Sequence, residues 1–139
     1  MKTLWGLLFV LSAFASVAHA DSLKTILADR ATCIGSDDSN PNTTKCNNAA
    51  IARADAAIGT AIQKMKDDSL TGTDGHGNDL SVGKPILDKA QKAFVEYRAQ
   101  SGTVAAIADG GTGSDRALAT SELKLKLTTQ RLSVFESAE

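Results

Sequence analysis

Aromatic residues are scarce in this chain, where four phenylalanines, one tyrosine and one tryptophan make up 4% of 139 residues. Half of these rings fall within the first 20 residues. Those that remain for a folded core are Phe94, Tyr97 and Phe135. A core with so few rings must be built from aliphatic side chains, and the many alanines favour closely packed helices.

Long apolar runs and basic patches are also lacking beyond residue 20. No stretch there approaches the roughly 20 apolar residues that a membrane-spanning helix needs, so we expect no membrane span. The 15 Lys and Arg residues are balanced by 16 Asp and Glu, and no basic run stands out. Nucleic acid is therefore excluded as a natural partner. A weakly acidic chain would instead associate faster with a basic protein than with a neutral one.

The first 20 residues have the pattern of a secretory signal peptide. Lys2 precedes an apolar run from Leu4 to Val17, and Ala18-His19-Ala20 supplies the small-x-small cleavage pattern. We predict cleavage near Ala20, which leaves residues 21–139 as a single helical-bundle domain. No cysteine directly follows Ala20 to accept a lipid. The mature protein is therefore expected in the periplasm or outside the cell.

The only cysteines are Cys33 and Cys46, and an oxidising compartment favours a disulfide between them. Closing a loop of this size stabilises the fold by about 3 kcal/mol in the chain-entropy model. His76 is the only histidine beyond residue 20, and the cysteines lack closely spaced ligand partners. We predict no metal site and no cofactor. No nucleophile and base can be paired from these residues, so we also predict that the protein is not an enzyme.

Helical spacing dominates, because no segment alternates apolar and polar residues for long. The sequence predicts an all-α fold: an antiparallel bundle of three main helices plus a short N-terminal helix, with one disulfide. The short helix should cover 22–31, followed by a disulfide loop over 32–45. The first main helix should cover 47–68. The second should have Pro85 in its first turn and run to 108, and the third should follow a glycine-rich turn, with Ser114 as its N-cap.

The expected helix 87–108 has apolar residues at heptad spacing, namely Leu87, Ala90, Phe94, Tyr97, Val104 and Ala108, with Ser101 among them. A bundle of three main helices can leave one such stripe exposed. We therefore include a homodimer among the expected assemblies.

Two glycine-rich segments invite ligand-binding interpretations that their residues do not support. The segment from Thr73 to Leu80 fails as a calcium-binding EF-hand, because Asp79 and Pro85 stand where glycine and glutamate are required. The turn Gly110-Gly111-Thr112-Gly113-Ser114 lacks the lysine of a nucleotide-binding loop, and no predicted strand precedes it. Both segments are better interpreted as connections between helices.

Several short motifs resemble those of the bacterial lysozyme-inhibitor LprI N-terminal family. They are Ala54-Asp55, Tyr97-Arg98, the turn Gly110 to Ser114, and Leu127-Thr128 followed by Arg131. The resemblance extends from Cys33 onward and implies a small helical bundle that inhibits a lysozyme-type muramidase. Where family members carry a second disulfide, this chain has Gly102 and Leu123, so that bond is absent.

The resemblance also directs attention to a set of polar residues on three helices, namely Asp55, Tyr97, Arg98 and Arg131. A carboxylate facing guanidinium groups inside a bundle can form bidentate hydrogen bonds. We expect these residues to form a structural polar network that fixes helix register. The alternative, a catalytic acid assembled with Tyr97, lacks a nucleophile and a second carboxylate.

An inhibitor of this kind needs a protruding segment that enters the enzyme cleft. The candidates are Gly35–Lys45, Thr71–Ser81 and Asp109–Ser114. We favour Thr71–Ser81, where His76, Asn78 and Asp79 offer hydrogen-bonding groups on a backbone bent by glycine. The alternative function is a periplasmic immunity or envelope interaction protein that binds a different exported protein or an envelope component.

Overall fold

A computed structural model of the chain describes residues 21–138. Four α-helices follow in order: α1 (Leu23–Ile34), α2 (Asn40–Asp68), α3 (Gly83–Asp109) and α4 (Gly113–Glu136). A single 3-10 turn over Leu80–Val82 leads into α3. The all-α prediction is confirmed for the described residues. The predicted signal peptide, residues 1–20, lies outside them.

Helix α4 occupies the centre of the bundle and packs along both α2 and α3, while α1 packs mainly on α2. Successive helices run antiparallel, so that α2 and α4 run in the same direction. Asn40 at the start of α2 donates to Asp115 at the start of α4 at 2.7 Å. Further along, Asn47 of α2 donates to Ser121 of α4 at 2.9 Å. Such pairs fix the register of the two helices.

The apolar core is mainly aliphatic, as the shortage of rings predicts, and Phe135 is its one buried ring within the described residues. It lies between α1, α2 and α4, and its buried members are Ile26, Ala50, Ala54, Ala57, Ile58, Ile62, Leu125, Leu132 and Phe135. Several alanines lie on the inner face of α2, which lets the neighbouring helices approach closely. Helix α3 adds no fully buried apolar side chain, although Leu87 packs against the edge of the core.

The disulfide joins Cys33 to Cys46 as predicted, with 5.8 Å between the two Cα atoms. The predicted loop around it is wrong. Helix α1 continues to Ile34 and α2 already begins at Asn40, so both cysteines are helical and only five residues connect the helices. Pro41 explains the early start of α2, because proline is favoured in the first turn of a helix.

The start of α4 also differs by two residues from the prediction. The N-cap is Thr112, not Ser114, which lies inside the helix. Asp115 accepts hydrogen bonds from the Thr112 backbone N–H at 2.9 Å and from its hydroxyl at 2.6 Å. Gly110 ends α3 with a φ of 66°, a left-handed conformation that glycine adopts without strain.

The predicted stripe on α3 divides between two faces of the helix. Leu87, Phe94 and Ser101 are partly buried, whereas Tyr97 and Val104 are 59% and 63% exposed. Gly102 is the only buried residue of α3. A Cβ atom added there would lie 3.1 Å from the Thr120 methyl group and 2.6 Å from Cε of Lys124. A small residue is therefore what allows α3 to approach α4 at this point.

A buried polar chain connects α1, α2 and α4. Asn47 is fully buried; its side-chain oxygen accepts from Arg30 Nε at 2.6 Å, and its amide donates to Ser121. Ser121 in turn donates to the Leu118 carbonyl at 2.9 Å. Because a buried amide without partners is costly, this chain favours a single arrangement of the three helices.

Candidate functional site

The connection between α2 and the 3-10 turn, residues 69–79, is an ordered hairpin-like loop. Thr73 and Asp79 form an antiparallel bridge, and the Leu80 N–H donates to the Gly72 carbonyl at 3.0 Å. At the tip, the Asp74 N–H donates to the Asn78 carbonyl, also at 3.0 Å. Backbone hydrogen bonds therefore close the loop twice, once at its base and once near its tip.

Asp74 holds the tip of the loop with its side chain. One carboxylate oxygen accepts from the backbone N–H groups of His76 at 2.8 Å and of Asn78 at 2.9 Å. The other accepts from the Asn78 side-chain amide at 2.8 Å. The Asn78 side chain, followed by the backbone N–H groups of Asn78 and His76, lowers the pKa of Asp74 below its ordinary value of 3.8. The carboxylate is therefore charged, and holds the loop, throughout the neutral range.

The three residues expected to bind a partner occupy different roles within this loop. The Asn78 amide is engaged by Asp74, and the Asp79 carboxylate accepts from the Ser81 N–H at 2.8 Å as the N-cap of the 3-10 turn. The Ser81 hydrogen bonds lower the pKa of Asp79. The His76 side chain is exposed and makes no hydrogen bond within the described residues. It is the side chain of the three that the loop leaves available.

The polar residues of the helices meet at one point between α2, α3 and α4. Arg98 forms a bidentate ion pair with Asp55, with nitrogen-to-oxygen distances of 2.6 and 3.0 Å. The same guanidinium donates to the hydroxyl of Thr128 at 2.8 Å. Thr128 is fully buried, and its hydroxyl donates a hydrogen bond to the Lys124 carbonyl at 2.7 Å. One arginine therefore links all three main helices.

Arg131 approaches this cluster through an aromatic ring. The guanidinium carbons of Arg98 and Arg131 both lie 5.5 Å from the centre of the Phe94 ring, and Arg131 lies 5.1 Å from the Phe135 ring. Cations at these distances are attracted to ring faces. The Nε atom of Arg131 is buried and has no hydrogen-bond partner. No ion pair joins Arg131 to Asp55 within residues 21–138.

Tyr97 does not join this cluster. Its side chain is 59% exposed, and it makes no hydrogen bond within the described part of the chain. Neighbouring residues on a helix point about 100° apart, so Arg98 can face the interior while Tyr97 faces solvent. The structure thus brings together Asp55 and Arg98 directly, adds Arg131 through a shared ring, and leaves Tyr97 outside.

The other two candidate segments protrude less than the sequence suggests. Most of Gly35–Lys45 belongs to α2, where Thr43 is buried. In Asp109–Ser114, the Gly111 N–H donates to the Asp109 carboxylate at 3.2 Å, and the Thr112 N–H donates to Asp115. The chain's own carboxylates thus occupy the backbone groups that would otherwise bind an external anion.

Sequence reasoning missed Asn47, Phe94 and Thr128 as members of the polar clusters. Asn47 was assigned only to the start of a helix, although an asparagine on the same face as Ala50 and Ala54 signals a buried amide. Thr128 belongs to the Leu127-Thr128 motif and is fully buried. Its hydroxyl accepts a hydrogen bond from Arg98, a role that the motif alone does not give.

Among residues 21–138, no three His, Cys, Asp or Glu side chains are grouped so that they could hold a metal ion. No helix in this range combines the length and apolar character of a membrane span. The fold and the site define a small, disulfide-linked helical bundle. Its interior polar groups join helices, and the longest connection between helical elements in residues 21–138 is one exposed, ordered polar loop.

Comparison with known families agrees with this description. A family model described as "Lysozyme inhibitor LprI" matches residues 33–134. The match covers most of the chain, which therefore belongs to the LprI lysozyme inhibitor family. It begins at Cys33 and includes the disulfide, the ordered loop, and the Asp55 and Arg98 pair. Neither a search of curated proteins nor a search of solved structures returned a match.

Proposed function

We propose that this protein is an exported inhibitor that binds a lysozyme-type muramidase and blocks its cleft with the loop Thr71–Ser81. Membership of an inhibitor family supports the class of function. The observation that carries the choice of segment is the Asp74-centred loop, which is exposed, polar and held in one conformation by its own hydrogen bonds.

The rigidity of the loop matters because three of its residues, Gly72, Gly75 and Gly77, are glycines. A flexible glycine-rich segment would lose much conformational entropy on binding, and affinity would fall accordingly. Here Asp74 and the bridge between Thr73 and Asp79 supply that order before the partner arrives. A preorganised loop of this kind binds without that loss.

The chemistry of the target makes His76 the natural contact residue. Lysozymes cleave their substrate with two carboxyl groups that face each other across the cleft. An imidazole N–H at the loop tip can donate a hydrogen bond to such a carboxylate. Asn78 and Asp79 then act mainly by keeping the shape of the loop, through their bonds to Asp74 and Ser81.

The test is lysis of a peptidoglycan suspension by c-type and g-type lysozymes, with and without the oxidised chain 21–139. We expect saturable inhibition at near-stoichiometric protein. His76→Ala should weaken inhibition by roughly tenfold or more, as the loss of a hydrogen bond to a charged group implies. His76→Gln keeps a donor and should retain most of the inhibition.

A matched control is available in the connection between α1 and α2. Ser36→Ala and Asp38→Ala alter another exposed polar segment and should leave inhibition unchanged. If these control variants abolish inhibition while His76→Ala does not, the choice of loop is wrong. If neither enzyme is inhibited by the unaltered protein, the alternative class remains, in which the partner is a different exported protein or an envelope component.

A further inference from the structure

Helix α3 presents an unusual number of large apolar side chains to solvent. Ile86, Tyr97, Val104 and Ile107 are 66%, 59%, 63% and 72% exposed. Val82, just before the helix, is 63% exposed as well. Scattered apolar residues are normal on a protein surface, but a contiguous set marks an interaction site.

These residues lie on one line along the helix. Together with two exposed alanines and one exposed glutamine between them they form what we call the α3 seam: Ile86, Ala90, Ala93, Tyr97, Gln100, Val104 and Ile107. The intervals alternate between four and three residues over the whole length, which is the spacing of a coiled-coil interface. Leu87, Phe94 and Ser101 lie beside the seam and face α4, so packing within the protein uses the adjacent face.

We propose that the α3 seam pairs with the α3 seam of a second copy of this chain to form a two-fold symmetric dimer. The spacing favours a helix as the occupant, because a 3.5-residue repeat stays in register only against another helix. The seam contains no charged residue, so the seam of a second copy can cover it without burying an unpaired charge.

The available area agrees with a dimer of moderate affinity. The large seam residues at their observed exposures, with the two alanines, offer roughly 600 Å² on each protomer, against about 800 Å² per partner in a standard interface. Both surfaces would be mostly apolar, and Tyr97 would lie near the centre, where aromatic residues contribute most. We expect dissociation in the micromolar range.

The sizes of the side chains favour an antiparallel arrangement of the two helices. A parallel pair would place each alanine against its own copy and Tyr97 against Tyr97, which leaves gaps between bulky layers. An antiparallel pair centred near residue 95 places Ala93 opposite Tyr97 and Ala90 opposite Gln100, so that each alanine faces a larger residue. Ile86 then lies opposite Val104, which adds an apolar contact at each end of the interface.

This register makes a specific prediction about charge. Glu96 flanks the seam and would lie beside the two-fold axis, close to the Glu96 of the second copy. Two like charges that face each other across an interface oppose association. Replacing Glu96 with glutamine should therefore tighten the dimer several-fold, whereas a parallel pair of different register would give no such gain.

The experiment is sedimentation equilibrium of the oxidised chain 21–139 across a concentration series. We expect the mass to double between low and high micromolar protein, and Val104→Asp to weaken dimerisation by roughly a hundredfold, because each dimer would bury two unpaired charges. Val95→Asp is the matched control: Val95 is 42% exposed on the same helix but points about 160° away from Tyr97. It should leave dimerisation unchanged.

The outcomes separate this dimer from the lysozyme proposal. A monomer at every concentration overturns the dimer, as does equal loss in the Val104→Asp and Val95→Asp variants. If the chain stays monomeric but Val104→Asp abolishes muramidase inhibition, the seam is the docking surface of the enzyme instead. Circular dichroism of each variant checks that the helices remain folded, which is expected because the altered side chains face solvent.

Discussion

The ion pair between Asp55 and Arg98 should make a larger contribution to stability than a surface ion pair does. The Arg98 side chain is 12% exposed and its partner Asp55 is 36% exposed, so solvent screens the pair only in part. Helix α3 also adds little apolar surface to the core, with Gly102 as its only fully buried residue. Its attachment therefore depends more than usual on this polar contact.

The expected loss in the free energy of unfolding depends on which hydrogen-bonding groups each substitution leaves without a partner. Asp55→Ala removes two charge-assisted hydrogen bonds and leaves the nearly buried guanidinium with Thr128 and the Phe94 ring. This should lower the free energy of unfolding by about 2 kcal/mol. The loss is smaller than for a fully buried ion pair because Asp55 is partly hydrated. Arg98→Met also removes the bond to Thr128, and should cost about 3 kcal/mol.

A double-mutant cycle measured by urea unfolding isolates the pair from the other losses. We expect a coupling free energy of about 1.5 kcal/mol between Asp55 and Arg98, with native-state hydrogen exchange accelerated mainly in α3. Asp88→Ala is the control, since its ion pair with Lys66 also joins α3 to α2 but Asp88 is 60% exposed. A coupling below about 0.5 kcal/mol would show that Asp55 and Arg98 behave as an ordinary surface pair.

Three further predictions concern the disulfide, the buried amide and the loop. Reduction of the Cys33–Cys46 bond should lower the free energy of unfolding by about 3 kcal/mol, measured by urea titration with and without reductant. Asn47→Ala leaves Arg30 and Ser121 without their partner and should cost about 2–3 kcal/mol in the same assay, whereas a cost near zero would contradict the buried network. Folding lowers the pKa of Asp74, so the stability that its carboxylate gives the loop is complete above about pH 4 and is lost as the pH falls below 3.8. The amide NMR signals of His76 and Asn78 should therefore shift only in that acidic range. A shift near neutral pH would contradict the role of Asp74 in holding the loop.

The helices could be predicted from apolar spacing wherever one face of a helix is buried. Ala54, Ile58 and Ile62 on α2, and Leu125 and Leu132 on α4, are buried as their four- and seven-residue intervals indicate. Prediction failed where two faces of one helix carry apolar residues. On α3 the spacing cannot distinguish the face that packs on α4 from the face that stays exposed.

Local chemistry explains the remaining differences. The polar residues from Asp37 to Asn42 resemble a loop in composition, yet Pro41 and the disulfide allow α2 to begin there. The pairing of Asp55 with Arg98 was expected from the family resemblance, while the ring contacts of Arg131 depend on the position of Phe94, which spacing alone does not give. The order of the glycine-rich loop comes from Asp74, whose role becomes visible only once the backbone around it is known.

We propose that the loop held by Asp74 blocks a muramidase. The most direct measurement compares inhibition of lysozyme by the unaltered chain 21–139 with inhibition by His76→Ala and His76→Gln, at matched concentrations of folded protein. Our account predicts near-stoichiometric inhibition by the unaltered chain, a loss of roughly tenfold or more for alanine, and substantial retention for glutamine. Full inhibition by His76→Ala would contradict the role of the loop tip, and no inhibition by the unaltered chain would contradict the proposed function itself.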